Sequence, residues 1–305
     1  MRLQFTTLDV FTTIPYLGNP LAVVRVPAEL RNQITEEQKQ YIAREFNLSE
    51  ITFLHEPEKG TDIAEYDIFT PLSRMSFAGH PTIGTATYVV THASAYPGVK
   101  RLKTVAGIIP FKQDGNKISV EIPHDVHIHK KRLPHPFPGP EHNATTSPTV
   151  PLVSIVKGMA FNLVPMANLE ALSLPTHGLL TIPELYKGEH LDVGSGWDVG
   201  YTGTYFYVDL GYDSAGIRQL RTRSIGSRED PGTGSASADL CSYLALQESE
   251  EKGSGPFSFH LTQGLEMGRR CDLFVEVTRT NNGKEIERVV LSGNAVEVMD
   301  GTLRV

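Results

Sequence analysis

Apolar residues fall mostly in short alternating or continuous runs, and only a few stretches carry the three-to-four spacing of a helix. Phe5 to Phe11 reads as a strand. A turn at Gly18-Asn19-Pro20 leads to a more buried strand, Leu21 to Val26. Thr35 and Gln38 stand in capping-box positions at the start of a helix whose face carries Ile34, Gln38, Ile42 and Phe46. Asn47-Leu48-Ser49-Glu50 ends it, and Ile51 to Leu54 and Glu65 to Thr70 read as strands. After Gly79-His80-Pro81-Thr82-Ile83-Gly84, helical spacing returns at Ile83, Ala86 and Val90. Thr85, Ala86 and Ala93 are small enough to let that helix lie deep inside a sheet, and Tyr96-Pro97-Gly98 stops it. Leu102 to Val105, Gly107 to Lys112 and Lys117 to Ile122 complete a curved antiparallel set, with a hairpin signal at Asp114-Gly115.

The second half has the same grammar without a direct sequence repeat. Strand-like runs at Leu152 to Met159, Phe161 to Met166 and Tyr205 to Leu210 surround a short helix at Leu169 to Leu174. Gly216 to Thr222 fits neither period clearly. A second Gly-rich turn, Glu229-Asp230-Pro231-Gly232-Thr233-Gly234-Ser235, opens a helix with Ala236, Leu240, Tyr243 and Leu244 on one face. Strands at Phe257 to Thr262, Cys271 to Thr278, Glu285 to Leu291 and Ala295 to Met299 follow, two of them joined at Asn281-Asn282-Gly283. Between the halves, prolines at 134, 136, 138, 140, 148 and 151 argue against regular structure. The expected organisation is a first lobe over 1–126, joined by the C-terminal strand 294–305, a His/Pro-rich linker over 127–151, and a second lobe over 152–293.

With 305 residues, 40% of them hydrophobic, the chain can build two ordinary cores. A net charge of -7 and the lack of any basic tract beyond His129-Lys130-Lys131-Arg132 argue against a nucleic-acid partner. No run of 18 apolar residues suggests a membrane span, and the N-terminal segment has no signal-peptide core, so a cytoplasmic protein is expected. Cys241 and Cys271 are far apart and read as free, partly buried thiols. Asn47-Leu48-Ser49 and Asn143-Ala144-Thr145 match the glycosylation pattern, by chance on this reading. His124, His127, His129, His135 and His142 crowd the linker. His127 and His129 would share one side of a strand, yet structural-metal spacing is missing, so exposed loop histidines are expected and no metal is assigned.

The two Gly-rich turns carry the chemistry. A helix start offers unpaired backbone N–H groups, so each turn is a candidate anion nest. His80 sits inside the first nest, where an imidazole can donate to a carboxylate or move a proton, or simply fix the turn. Asp230 sits in the second, as a proton partner or as a plain N-cap. Glu50 lies between a helix end and an apolar strand, where partial burial raises a carboxylate toward the range of a general base; an ordinary surface glutamate is the other reading. Neither turn is a P-loop, Gly194-Ser195-Gly196-Trp197 is no nucleophile elbow, and without a GxGxxG a nicotinamide cofactor has no support.

The segments Gly18-Asn19-Pro20, Asn47-Leu48-Ser49-Glu50, Phe69-Thr70-Pro71, Phe77 to Gly84, Glu229 to Ser235, Gln263 to Arg269 and Ser292 to Val296 together resemble, in order and over nearly the whole chain, the PhzF-like phenazine biosynthesis family. The resemblance implies an α+β, diaminopimelate epimerase-like fold: two pseudo-symmetric lobes, each a curved, mostly antiparallel sheet around a central helix, with the substrate in the cleft between them. It implies a cofactor-independent isomerase moving a proton on a small anionic or carboxylate-bearing metabolite, as the best-known member does with trans-2,3-dihydro-3-hydroxyanthranilate. Glu50 then matches the base, His80 and Asp230 its partners, and Ser49, Gly79, Gly234 and Ser235 the substrate-binding positions. No cofactor or metal is implied, and a homodimer is one assembly open to it.

Two departures bear on substrate. The epimerases of this fold carry paired cysteines where this chain has Gly79 and Asp230, which disfavours thiol chemistry. Arg74 stands where many members have glutamate, reversing a charge expected near the cleft mouth. A cofactor-free racemase or epimerase using Glu50 and Asp230, and a catalytically inactive small-molecule-binding relative, are the alternative readings.

Overall fold

A computed structural model of the chain describes residues 2–137, 148–175, 188–200 and 203–305. His142 and the Asn143-Ala144-Thr145 pattern lie outside the described residues. The chain divides into two compact units, residues 1–121 with 292–305, and residues 122–291.

The first unit contains β1 (Arg2–Val10), β2 (Asn19–Val26), α1 (Glu36–Phe46), β3 (Ile51–His55), β4 (Ile63–Phe69), β5 (Arg74–Met75), α2 (Gly79–Thr91), β6 (Arg101–Thr104), β7 (Gly107–Asp114) and β8 (Lys117–Glu121). β1 and β2 pair antiparallel, β2 and β3 parallel, and β3 and β4 antiparallel. Short β5 returns along β4 and feeds α2. After the helix, β6 pairs parallel with β4, and β7 antiparallel with β6. The C-terminal strand, Ala295–Arg304, runs antiparallel to β1.

The second unit contains β9 (His127–Ile128), β10 (Leu133–Pro134), β11 (Thr149–Val150), β12 (Leu152–Val156), β13 (Met159–Pro165), α3 (Leu169–Leu172), β14 (Gly203–Tyr212), β15 (Arg218–Ile225), β16 (Glu229–Asp230), α4 (Gly234–Gln247), β17 (Phe257–Gln263) and β18 (Cys271–Arg279). Its pairings repeat those of the first: β12/β13 antiparallel, β13/β14 parallel, β14/β15 and β15/β16 antiparallel. After α4, β17 joins β15 in parallel, and β18 pairs antiparallel with β17. β9 flanks β12 as the C-terminal strand flanks β1. This is the diaminopimelate epimerase-like α+β fold, in two sheet-containing lobes.

The central strands β2, β3, β12 and β13 are buried almost continuously, as strands covered on both faces are, whereas β6, β8, β17 and β18 alternate. In the first unit, Ala22, Val24, Val26, Ile51 and Phe53 form one apolar layer with Ala43 of α1. α1 starts at the expected capping box: Gln38 N–H donates to Thr35 Oγ1 at 3.1 Å, and Thr35 N–H to Gln38 Oε1 at 2.9 Å. The opposite face receives α2, which is buried from Gly79 to Ala86. A Cβ on Gly84 would lie 2.4 Å from Leu21 Cδ2 and 2.9 Å from Val10 Cγ2, so any side chain there would have to displace these packed sheet residues. Buried hydroxyls fix the rotation of α2, with Tyr66 Oη 2.7 Å from Thr82 Oγ1 and Thr52 Oγ1 3.1 Å from Thr85 Oγ1.

Several expectations change. On α1 the buried polar residue is Lys39 and not Gln38, because Lys39 Nζ reaches the sheet residue Asp67 at 2.6 Å. Arg74 also binds Asp67 and lies 3.1 Å from Glu36. His55 Nε2 completes the cluster 2.9 Å from Asp67, whose carboxyl these partners hold well below the usual range against the opposing effect of burial. The ambiguous stretch after Gly216 is strand β15. Its arginines pair with acids: Arg218 with Asp209, Arg221 with Glu266, Arg223 with Glu229. The proline-rich linker still yields a two-residue ladder, Leu133–Pro134 on Thr149–Val150. His129 and His135 are buried, not exposed, because Ser154 Oγ and the Pro165 carbonyl each lie 2.9 Å from a ring nitrogen. Both cysteines are free and wholly buried. Among the described residues, no helix is long and apolar enough to cross a membrane.

One buried charge site stands apart. Asp239 in α4 is 0% exposed, and neither carboxyl oxygen has a hydrogen-bond partner among the described residues. Burial pushes its carboxyl well above the usual carboxylate range. The folded protein therefore holds this proton while the unfolded chain releases it near pH 4, and stability drains away as pH rises from there. Asp239→Ala removes an unsatisfied group worth about 1–3 kcal/mol, offset in part by the small cavity left behind. In urea unfolding, the stability of the variant relative to wild type is expected to grow from pH 4 to pH 7; a difference independent of pH would contradict the buried neutral acid.

Candidate active site

Glu50 and His80 come together through the register of the first unit. Asn47 caps α1 in the left-handed region (φ 51°), and its N–H closes the helix on the Ala43 carbonyl at 3.1 Å. Four residues later the chain enters β3, with Ile51 opposite Ala22 on β2. Glu50 is thus fixed at the mouth of a central strand. The Thr52–Thr85 contact ties that strand to α2, and it carries His80, the second residue of the helix, toward Glu50. His80 Nδ1 lies 3.6 Å from Glu50 Oε2, just beyond hydrogen-bond range.

The two groups differ in exposure. The Glu50 side chain keeps 17% of its surface, whereas that of His80 keeps 4%. Burial pushes the His80 imidazole down to about 3, so the ring is neutral at physiological pH. Among the described residues, its Nε2 is buried with no hydrogen-bond partner, and so is the Ser49 hydroxyl beside Glu50. Gly79, buried at the first position of α2, has no side chain to cover the helix start, and the N-cap residue Ala78 offers no capping oxygen. Polar groups left unpaired in a native interior call for a ligand or water.

In the second unit, Asp230 is placed by its neighbour. Glu229 turns inward, where Arg223 grips both of its oxygens at 2.7 and 2.9 Å. Arg223 also donates to the Leu172 carbonyl at 2.8 Å, tying the turn to α3. With Glu229 held inward, alternation along β16 sends Asp230 to the other face. Asp230 Oδ2 accepts from Thr233 Oγ1 at 2.5 Å, just ahead of α4. Gly234 and Ser235 are buried at the first two positions of that helix.

Gln263 and Tyr205, not among the sequence-predicted site residues, hold this turn. Gln263 donates from Nε2 to the Asp230 carbonyl at 2.7 Å and to Thr233 Oγ1 at 3.1 Å, while its Oε1 accepts from Thr233 N–H at 3.2 Å. Tyr205 Oη donates to the same Oε1 at 2.9 Å and sits 2.8 Å from Ser237 Oγ on α4. The backbone after Gln263 can approach because Gly264 has φ +77°; a Cβ there would meet the Pro231 carbonyl at 2.6 Å. The Gln263-Gly264 motif was visible in the sequence, but nothing local connects it to a turn some thirty residues earlier. Of the predicted residues, Ser49, Glu50, Gly79 and His80 belong to the first unit, and Asp230, Gly234 and Ser235 to the second.

Comparison with known proteins agrees with this architecture. The family model described as phenazine biosynthesis-like protein matches residues 8–172 and 220–301. An uncharacterized isomerase of Mesorhizobium japonicum is 29% identical over 319 residues, covering 98% of each chain. The trans-2,3-dihydro-3-hydroxyanthranilate isomerase of Pseudomonas aeruginosa is 27% identical over 315 residues, again with 98% of each chain covered. The crystal structure of a PhzF-family phenazine biosynthesis protein from Bacillus anthracis shares the fold at a TM-score of 0.74 and 21% identity, covering 100% of both chains. The chain belongs to the phenazine biosynthesis-like family, and its chemistry is of the isomerase or epimerase type.

Proposed function

We propose that the protein is a cofactor-independent isomerase that moves a proton on a small carboxylate-bearing metabolite, with Glu50 as the base that takes and returns the proton. The observation that carries the reading is the pairing of a partly exposed carboxylate with a buried, neutral imidazole whose Nε2 has no partner. A carbon next to an unsaturated or carboxylate-bearing group is only weakly acidic. A base held beside it, with water largely excluded, gains in both orientation and strength. The start of α2 provides N–H donors for the charge that develops. His80 contributes as a neutral donor or acceptor, not as a cation.

Asp230 is assigned the second proton-handling position, its orientation set by Thr233 and Gln263. Ser49, Gly79, Gly234 and Ser235 are assigned to substrate binding. The substrate is an anion, by the donor-rich helix starts. The free thiols Cys241 and Cys271 support a reducing, cytoplasmic setting.

Glu50→Gln keeps the shape and removes the base. It is expected to fold normally and to lose about 10²–10⁴-fold in turnover, the usual cost of losing a general base. Solvent deuterium incorporation into a turned-over carboxylate ligand reads this directly, and equal exchange in wild type and variant would remove Glu50 from the role. Asp230→Asn should lower exchange as well, whereas Cys241→Ser and Cys271→Ser should leave it intact.

The imidazole of His80 is expected to be silent between pH 5 and 8, in a ¹⁵N-histidine titration and as a limb of the pH–rate profile. The unfolded chain protonates this ring below about pH 6.5 and the folded protein does not, so His80 costs stability as pH falls from there toward 3. An imidazole titrating near its ordinary value would contradict the neutral role.

Gln263→Leu strands the Thr233 amide and the Asp230 carbonyl without their partner. The expected loss is about 1–3 kcal/mol in stability, and turnover should fall further than stability alone explains. Turnover unchanged in the folded variant would mean that Gln263 does not position Asp230.

A further inference from the structure

The crowded histidines before and after Ile128 are not accounted for by proton transfer. His127 Nε2 lies 3.0 Å from Asp192 Oδ2, and His129 Nδ1 lies 3.9 Å from the same oxygen. All three donor atoms fall within 4.8 Å of one another, within the second unit. We propose that His127, His129 and Asp192, none of them a candidate catalytic residue, form a binding site for a divalent transition-metal ion of the zinc class.

The ligand chemistry and its surroundings argue for it. Two imidazoles and one carboxylate are a common three-residue set for zinc, with water completing the tetrahedron. Bonds of about 2.1 Å put tetrahedral ligands roughly 3.4 Å apart, so the observed separations need only sub-ångström to ångström adjustments. The tautomer of His129 is set from outside. Nδ1 accepts the Asp192 N–H at 3.1 Å, so the ring proton sits on Nε2, 2.9 Å from Ser154 Oγ. The lone pair of Nδ1 therefore faces Asp192, and binding exchanges the N–H contact for a metal–nitrogen bond. Asp192 is oriented too, because its Oδ1 accepts from Lys130 N–H at 3.1 Å and leaves Oδ2 for the cluster. Hydrogen bonds of this kind aim metal ligands from behind.

Packing pre-sets the remaining ligand. The His127 ring stacks on Trp197 with centroids 4.6 Å apart and planes 8° from parallel, and meets the His129 ring edge-on at 4.8 Å. The cation of Lys157 lies on Trp197, 5.4 Å from its ring centre. His129 has no side-chain exposure, whereas His127 keeps 27% and Asp192 12%, so an ion can enter from solvent on one side. An ion there would clasp the β9 edge to the Asp192–Trp197 segment, which the pairing of β9 with β12 does not reach.

The experiment is Zn²⁺ titration of the chelator-treated full chain against a chromophoric competitor, with Co²⁺ difference spectra as a second readout. One saturable equivalent is expected, weakening as pH falls through the histidine range. Ser154→Ala should weaken it about 10–100-fold, and His127→Ala and Asp192→Asn by more. His124→Ala, outside the cluster, should leave it unchanged. In the Co²⁺ form, the Asp192 amide resonance should shift in wild type and not in Asp192→Asn. Uptake that is non-saturable, equal in wild type and His127→Ala, or abolished by His124→Ala would overturn the proposal. Should His127→Ala fail to fold, the Asp192→Asn spectrum decides.

Discussion

Two buried helices, each locked in rotation by hydroxyl groups, are the constraint on which the candidate chemistry depends. Apolar packing alone tolerates a helix turned by a few tens of degrees, since hydrophobic contact has little direction. Hydrogen bonds in a dry interior do not tolerate it, because a missed partner costs about 1–3 kcal/mol. In α2, Thr82 and Thr85 meet Tyr66 and Thr52. In α4, Ser237 meets Tyr205. These bonds set where His80, Thr233 and the helix-start N–H groups point. The same pairs help explain why neither helix is strongly amphipathic: it is buried along most of its length, and Thr82, Thr85 and Ser237 are admitted where a sheet hydroxyl answers them.

The same low-dielectric interior gives similar groups opposite roles. His80, buried without a charged partner in bonding range, is driven to its neutral form. Asp67, equally inaccessible, stays ionised because Lys39, His55 and Arg74 surround it. Asp239 has no partner and keeps its proton. Burial alone therefore predicts nothing about charge; the neighbours decide, and they arrive from distant parts of the chain.

That dependence marks the limit of sequence reading. Local signals exposed the capping box of α1, the two Gly-rich turns, the helices at Gly79 and Gly234, and the repeated order of elements. Glu50 and His80 were both legible, because each sits at a junction between periods. Gln263 was legible as a motif but not as the clamp of a turn around residue 231, and Tyr205 read only as a strand residue. Lys39 and the arginines of β15 misled for a related reason. A charged residue lowers the apparent apolar period, and only tertiary structure brings the acid that permits its burial. His129 fails in the same way, since its proline-rich context suggested exposure while Ser154 supplied the partner.

The two units repeat one topology yet differ where chemistry would lie, and this asymmetry argues for a single principal base. At the start of α2 stands an acid–imidazole pair, and at the start of α4 an aspartate bound to a threonine and braced by glutamine. Two-base epimerisation by thiols needs matched, ionisable cysteines at both helix starts. By the family resemblance, Gly79 and Asp230 hold those places here. Cys241 lies farther along α4, where burial pushes its thiol well above the ordinary range. A thiol that cannot ionise is neither base nor nucleophile. On the proposed reading, proton transfer falls to oxygen and imidazole groups. Among these, the proposed base Glu50 combines solvent contact with a neutral imidazole 3.6 Å away, a setting in which a carboxylate can accept a proton, hold it, and return it to another carbon of the same ligand.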